Sequence, residues 1–564
     1  VSSKRNQILA AVLMIGFVAV FLYSNKLDNQ YAFDDFAFIL DSPEHNSLAN
    51  IPSFFVTDQH RLYRPLRSVA YTVVRHFWGL SPKAHSAVGV ITHALMAMIF
   101  FGIVFVLSNR VRLAFLAGMI LAVHPLASER PIFITASFDM FGMIFAYGGL
   151  IAMILYLKNG ARHWFGVGLL LFLLGLLGTE ESATVPLFLI LFAMALPNEI
   201  EGKNRRAVWI IAVCFVMLFI YLAIRSQLVP GFSRVNHYVA GGLYETVLSM
   251  MVVFWRYVGL TLAPYGLSAE HATTIYDSMK WPVLLAMAGH ATAVSLAFFF
   301  RKIRPLIFIG IGWFYIGLAP VANIIPLQTL MAERYFYVGF MGLALLMALA
   351  LDAVLRKSPS GTIRMVVLAM IGALFANYFV LTLNNIHTWR TEDSLWKNAV
   401  ENEPYTYIGN LNWGNVLKNH GDSEGACKQY RTALMYNPCG HEGLIGLGNC
   451  AMFAGKLDEA INHYKQALVC RKGHIPAMEG LAQAQMLSGN TAQAYNLGRQ
   501  VLESEPNRVV SLNVVGYILA RDDRCKEAMP YLLRLVELAK DPATSASGKA
   551  NLNYCTKFLK TEKE

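Results

Sequence analysis

Up to about Leu383 the chain is a succession of long apolar runs parted by short basic clusters, and from about Trp389 onward it is polar and helix-forming. That single shift dictates two domains. About eleven runs approach the length that crosses a bilayer, at about 8–24, 87–107, 112–126, 137–157, 164–178, 182–197, 208–225, 281–300, 305–320, 334–354 and 365–383. A chain of 564 residues that is 55% hydrophobic and 15% charged, with a mean hydropathy of +0.44, is too apolar for a soluble protein of this size. The sequence therefore predicts an all-α integral membrane protein.

The net charge of +11 does not argue for nucleic acid, because much of the Lys and Arg sits between apolar runs and reports topology. The clusters are SSKRN, SNRVR (108–112), KNGARH (158–163), GKNRR (202–206), RKIRP (301–305) and RKSPSGTIR (356–364), and all six should face the cytoplasm. Alternation satisfies them if the segment 244–264, YETVLSMMVVFWRYVGLTLAP, is a re-entrant or interfacial helix and not a span, or if a second crossing accompanies it. The N-terminus is then inside and the polar C-terminal part outside. The first run lacks a convincing small-residue cleavage site and is expected to be a retained span. The expected divisions are a membrane domain 1–387, a connecting helix 388–404 and a repeat domain 405–564.

The stretch YAFDDFAF (31–38) places Asp34 and Asp35 among aromatics just past the first run. Charged residues recur at the outer ends of other runs: Arg64, Glu129, Arg130, Asp139, Glu180, Glu181, Glu270, Glu333 and Arg334. Charge near membrane depth is costly unless it faces a cavity or a partner, so these ends are expected to converge on one polar cavity.

The polar part repeats at a period of 34 residues, the tetratricopeptide spacing, in blocks 405–438, 439–472, 473–506 and 507–540 with a partial block after them. Small residues keep register at Gly414, Gly448, Ala482 and Gly516 in the first helix of each block and at Ala426, Ala460, Ala494 and Ala528 in the second. Gly421, Gly455 and Gly489 share a turn position. Such an array suits binding of a peptide or protein surface better than catalysis. Of the 7 cysteines, Cys214 lies in an apolar run and the other six lie in the repeats, an even set that suggests disulfides outside the cytoplasm. Repeat geometry predicts the pairs Cys427–Cys450, Cys439–Cys470 and Cys525–Cys555.

FDD (33–35), YRPL (63–66), HSAVGVITHALMA (85–97), HPLASE (124–129), EESATVP (180–186), WRY (255–257), APYGLS (263–268), NIIPLQTLMAERYFY (323–337) and TWRTEDSLW (388–396) follow one another in order and lead into the repeats. In this ordered set the chain resembles the transmembrane and tetratricopeptide-repeat-containing protein O-mannosyltransferases. These are members of the GT-C superfamily, which uses polyprenyl-phosphate sugars. The resemblance implies a GT-C membrane bundle and transfer of a hexose from a polyprenyl-phosphate carrier to Ser or Thr of an exported protein bound by the repeats, with inversion. It departs at Ser137 and Glu180, where the family usually carries Arg and Lys, so mannose and other hexoses both stay open.

For that chemistry a carboxylate must take the acceptor proton, and Asp35 is favoured over Asp34. Arg64, Arg334 and Arg256 are the candidate phosphate cations, since guanidinium bonds phosphate bidentately and keeps its charge near lipid. Glu129, Asp139, Glu181, Glu333, Tyr63, Tyr31, His85 and His124 are candidate cavity, acceptor or sugar contacts. A divalent cation, Mg or Mn, held by Asp34 with Asp139 is allowed but not required. A bacterial inner membrane with periplasmic repeats is favoured over the endoplasmic reticulum with luminal repeats. Transfer to a glycan or lipid, and a non-catalytic membrane scaffold, are the alternatives.

Overall fold

The computed structural model describes residues 2–57, 62–196, 203–229, 235, 238–358 and 361–561. Gly202 and Pro359–Ser360 of the expected basic clusters lie outside the described residues, as does Pro197 of the sixth apolar run. The chain is 81% helical and divides into two compact units, Val1–Asn402 and Glu403–Glu564.

The first unit comprises α1 (Ser2–Tyr23), α2 (Pro65–Trp78), α3 (Pro82–Ser108), α4 (Val111–Val123), α5 (Glu129–Ile132), α6 (Ile134–Asn159), α7 (Arg162–Leu176) and α8 (Val185–Ala195). It continues with α9 (Lys203–Leu228), α10 (Leu243–Leu262), α11 (Trp281–Phe300), α12 (Pro305–Leu318), α13 (Glu333–Lys357), α14 (Thr362–Thr388) and α15 (Glu392–Asn402). Every apolar run falls on one of these helices. Among the described residues eight are long and apolar enough to cross a membrane: α1, α3, α6, α9, α10, α11, α13 and α14. The runs at 112–126, 164–178, 182–197 and 305–320 form shorter helices.

The basic clusters converge on one end of this bundle. Lys4 donates to Asn109 at 2.8 Å, Lys158 to the Val106 carbonyl at 2.7 Å, and Arg110, Arg112 and Arg356 surround Asp352. Arg304 lies within electrostatic range of Arg110, and Arg206 lies beside Gly160. The acidic segments meet at the opposite end, hereafter the site end.

α10 is one continuous helix, so the re-entrant form expected for 244–264 does not occur. Its length would let it cross, yet its contacts hold it at the site end. Ser249 Oγ accepts from the Tyr276 N–H at 3.0 Å, Met250 Sδ from Asn323 at 3.7 Å, and the Tyr257 hydroxyl donates to the Ala332 carbonyl at 2.8 Å. His124 Nε2 lies 3.0 Å from the Thr261 carbonyl. Ser249 and Thr261 are about 18 Å apart along the helix, and all these partners lie in connections at the site end. A crossing helix would present only one of its ends there, so α10 has the lie of an interfacial helix.

Close packing sets the site. A Cβ on Gly142 of α6 would fall 2.6 Å from the Thr179 backbone nitrogen, so only glycine lets α6 approach the 178–181 segment this closely. That approach brings Asp139, one turn earlier on α6, to the two glutamates after Thr179. α15, expected as a connector, belongs to this unit: the Trp396 and Phe33 rings meet edge to face at 5.1 Å, and Glu392 accepts from the Phe33 N–H at 3.4 Å.

The second unit is an array of antiparallel pairs, α16 (Tyr407–Asn419) with α17 (Ser423–Tyr436), α18 (His441–Phe453) with α19 (Leu457–Cys470), α20 (Ile475–Leu487) with α21 (Thr491–Ser504), and α22 (Val509–Arg521) with α23 (Cys525–Leu538), closed by α24 (Pro542–Thr561). Tyr430 and Tyr464 fill equivalent places, each bonding an Asn of the preceding helix, Asn415 at 2.9 Å and Asn449 at 2.7 Å. Gly414 and Gly448 make room for those rings: a Cβ would sit 2.7 and 2.6 Å from them. The shared turn position is left-handed at Gly421, Gly455 and Gly489, with φ of +83°, +71° and +87°. In the fourth pair Asp523 takes it at +57°, since Asp tolerates that conformation better than most side chains. The disulfides are Cys427–Cys450, Cys439–Cys470 and Cys525–Cys555, and Cys214 is a buried free thiol.

Digestion without reductant is expected to release three linked peptide pairs. Replacing Cys525 and Cys555 with serine is expected to destabilise the array by about 2–4 kcal/mol, read from chemical unfolding.

Candidate functional site

The turn that carries the two aspartates is held in an unusual backbone state. Phe33 has φ of +58°, a left-handed conformation costly for a bulky side chain. Its ring is fixed by Phe133 at 5.6 Å and by Trp396. The consequence is that Asp34 and Asp35 have opposite surroundings.

Asp35 is buried, 1% exposed, and its oxygens are occupied. Oδ1 accepts from the Thr135 N–H at 2.8 Å and the Thr135 hydroxyl at 2.6 Å, and Oδ2 from the Ala32 N–H at 3.1 Å. Burial pushes its pKa up to about 7, against the pull of these bonds and of buried Lys26. Lys26 in turn donates to the Pro131 carbonyl at 2.5 Å. Asp35 thus fastens the turn to α6. Asp34 is half-buried, carries no carboxylate hydrogen bond among the described residues, and has Arg334 as its electrostatic partner. Of the two aspartates named as candidate proton acceptors, Asp34 is thus the one whose carboxylate is left without a hydrogen bond among the described residues.

Next to this turn runs a chain of ion pairs. Arg64 spans both oxygens of Asp139 at 2.8 Å and bonds Glu180 at 2.5 Å. Arg67 meets Asp139 at 3.2 Å, and Arg130 approaches it at 3.7 Å. Arg130 grips Glu181 bidentately at 2.6 and 2.7 Å and donates to the Arg334 carbonyl at 3.1 Å. Arg334 binds Glu129 through its side chain at 2.6 Å and its backbone N–H at 2.7 Å. Burial alone would pull Arg64 down, but Asp139, Glu180 and Glu181 more than offset it and hold its pKa above the ordinary value. Arg130 is raised in the same balance by Glu181 and Asp139.

The remaining candidates divide by role. Glu333 pairs with His271 at 3.0 Å and accepts from the Ser268 N–H at 2.8 Å, while Arg256 bonds the Ala272 carbonyl and lies 3.3 Å from His271. Arg256 is therefore committed to the 263–280 connection and is set aside as a phosphate cation. Tyr31 and His85 lie 3.1 Å apart, and His85 also reaches the Ser81 carbonyl at 2.9 Å. His124 caps the start of the 125–127 turn through Leu126 and reaches Thr261 on α10, which makes it a packing residue. The Tyr63 hydroxyl donates to the Phe55 carbonyl at 3.1 Å.

The divalent cation allowed but not required at Asp34 with Asp139 would meet an Asp139 already taken up by arginines. Three guanidinium groups surround Asp139, and no group of three or more His, Cys, Asp or Glu is placed to hold an ion among the described residues. Sequence reasoning also missed Arg67, Lys26 and Thr135, and the linking roles of Arg130 and Glu180. Arg67 follows Arg64 by three residues on α2, a helical spacing that would have pointed to it.

Fold and site together define a polytopic helical membrane protein with a tetratricopeptide array and a buried ion-pair network at one end of its bundle. No family model matches the chain. It is similar to the protein O-mannosyl-transferase F38B6.6 of Caenorhabditis elegans, 22% identical over 463 residues, covering 77% of this chain and 64% of that protein. It is also similar to mouse TMTC4 (21% identity, 75% of this chain and 66% of that protein) and human TMTC1 (23%, 76% and 55%). The chain is thus similar to proteins named as protein O-mannosyl-transferases, and it spans less than two thirds of the length of these curated proteins. Solved structures similar to part of it include YrrB, a TPR protein (TM-score 0.24, 19% identity, 29% of this chain and 89% of that one), and Pseudomonas aeruginosa pilF (0.25, 14%, 37% and 88%).

Removing one member of the network strands a buried charge, so Arg130→Met is expected to cost about 3–5 kcal/mol, seen as a fall in the unfolding midpoint of the detergent-solubilised protein. Asp35 gives a pH signature. Its carboxyl releases its proton at the ordinary value of 3.8 when unfolded and at about 7 when folded, so its stabilising contribution is complete below 3.8 and lost as pH rises through 7. The unfolding midpoint should fall between pH 5 and pH 8 in the wild type, and Asp35→Asn should flatten that fall.

Proposed function

We propose that this chain is an integral-membrane O-glycosyltransferase that moves a hexose, mannose in the first instance, from a polyprenyl-phosphate carrier to Ser or Thr of a protein held by the repeats. The names of its relatives support the reaction class. The observation that carries the site is the split between the two aspartates: Asp35 saturated and buried, Asp34 unbonded beside Arg334.

In this reading the acceptor hydroxyl attacks the anomeric carbon and passes its proton to Asp34. The bond from that carbon to the phosphate oxygen breaks, and its electron pair leaves with the lipid phosphate. Attack opposite the leaving group inverts the anomeric centre. Arg334 is the primary phosphate cation. Its Nε and Nη2 carry no hydrogen bond among the described residues, and the Glu129 contacts hold its Nη1 and backbone. Arg64 Nη2 is a second available donor. The ion-pair network keeps both guanidinium groups charged and oriented before the donor arrives, which spares reorganisation during the reaction. The basic end would face the cytoplasm, so transfer occurs on the opposite membrane face, where exported proteins emerge.

The test is transfer of labelled mannose from lipid carriers to protein in membranes with matched expression. Asp34→Asn is expected to lower transfer about a hundredfold or more while lipid-sugar binding persists. Asp35→Asn should act through loss of folded protein and keep turnover per folded molecule within about tenfold. Unchanged transfer in Asp34→Asn would remove it as the base and favour a scaffold.

A further inference from the structure

α3 runs about 35 Å from His85, beside the site turn, to the SNRVR connection at the basic end. Two pockets adjoin there. One, of about 550 Å³, is lined by Lys4, Asn109, Arg110, Arg112 and Asp352 among others. The second, of about 650 Å³, is an apolar groove formed by Ile8, Leu9 and Val12 of α1 with Phe105 of α3, and Lys4 and Arg5 also line it.

Lys4 lines both pockets. Its ammonium donates to Asn109 Oδ1 at 2.8 Å and lies 5.6 Å from the centre of the Phe105 ring. The polar niche and the apolar groove are therefore joined at one side chain.

Charge in this region is one-sided. The only carboxylate lining either pocket is Asp352, which is 1% exposed and already shared by Arg110, by Arg112 at 2.7 Å and by Arg356 at 3.0 Å. It neutralises one of three guanidiniums and turns no free oxygen outward to repel an anion. Lys4 and Arg5 are exposed and have no carboxylate partner among the described residues.

We infer that these adjoining pockets bind one anionic phospholipid of the leaflet at the basic end, its phosphate between Lys4 and Arg112 and an acyl chain along Ile8, Leu9, Val12 and Phe105. A free phosphate would use the niche and leave the groove empty, whereas a neutral lipid would have no use for the excess cations. A phospholipid answers both. Basic pockets between membrane helices take anionic headgroups on this principle. The site is remote from the Asp139 network and does not depend on the reaction proposed there.

The full chain, purified in a neutral detergent, would be titrated with phosphatidylglycerol, with phosphatidylcholine and with inorganic phosphate, and bound lipid counted by native mass spectrometry. One phosphatidylglycerol is expected to bind saturably and in preference to phosphatidylcholine. K4Q should weaken it about fivefold and K4Q/R112Q about twentyfold or more. K4Q touches no ion pair, so its unfolding midpoint without lipid should match the wild type, which separates lost binding from lost folding. Val12→Trp, which fills the groove, should weaken phosphatidylglycerol and leave the charge untouched. Equal binding of the two lipids, or wild-type affinity in K4Q and Val12→Trp, would overturn the site. Displacement of the lipid by inorganic phosphate at equal concentration would overturn the lipid as its occupant.

Discussion

The carboxylate of Asp139, set among Arg64, Arg67 and Arg130, is the contact on which the site end of the bundle depends. It ties α2, α5 and α6 together at a depth where none of these charges could stand alone. Through Arg130 the tie extends to Glu181 and to the start of α13, and through Arg64 to Glu180. The Gly142 approach supports it, since a Cβ there would collide with the Gly178–Thr179 backbone that leads into the two glutamates.

This network explains how a strained turn can persist beside it. The left-handed Phe33 is held by three groups from two elements: Phe133 at the start of α6, and Trp396 and Glu392 of α15. Asp35 locks the same turn to Thr135 from beneath. Strain of this kind survives only where the surroundings over-determine it, and here it exposes one carboxylate while burying its neighbour. Adjacent residues of the same type thereby acquire different chemistry.

The two ends of the membrane unit use the same residue types for opposite purposes. At the site end the arginines are matched by carboxylates and rigidified. At the basic end one carboxylate serves three arginines, and the surplus charge stays open to an anion. The difference lies in the count of acids supplied by the neighbouring helices, not in the arginines themselves.

Much of this was legible in the sequence because it rests on period and composition. The apolar runs, the 34-residue repeat, the cysteine register and the gathering of basic clusters are properties of spacing, and spacing survives in a one-dimensional reading. α10 shows the limit: its length and apolarity are those of a span, and only contacts from Ser249 to Thr261 lay it along the site end. The different surroundings of Asp34 and Asp35 were equally closed to the sequence, since they turn on the sign of one φ angle at Phe33 and on a threonine 100 residues away. Pairing across such separations is decided by which helix surfaces meet, and that is set by tertiary packing alone.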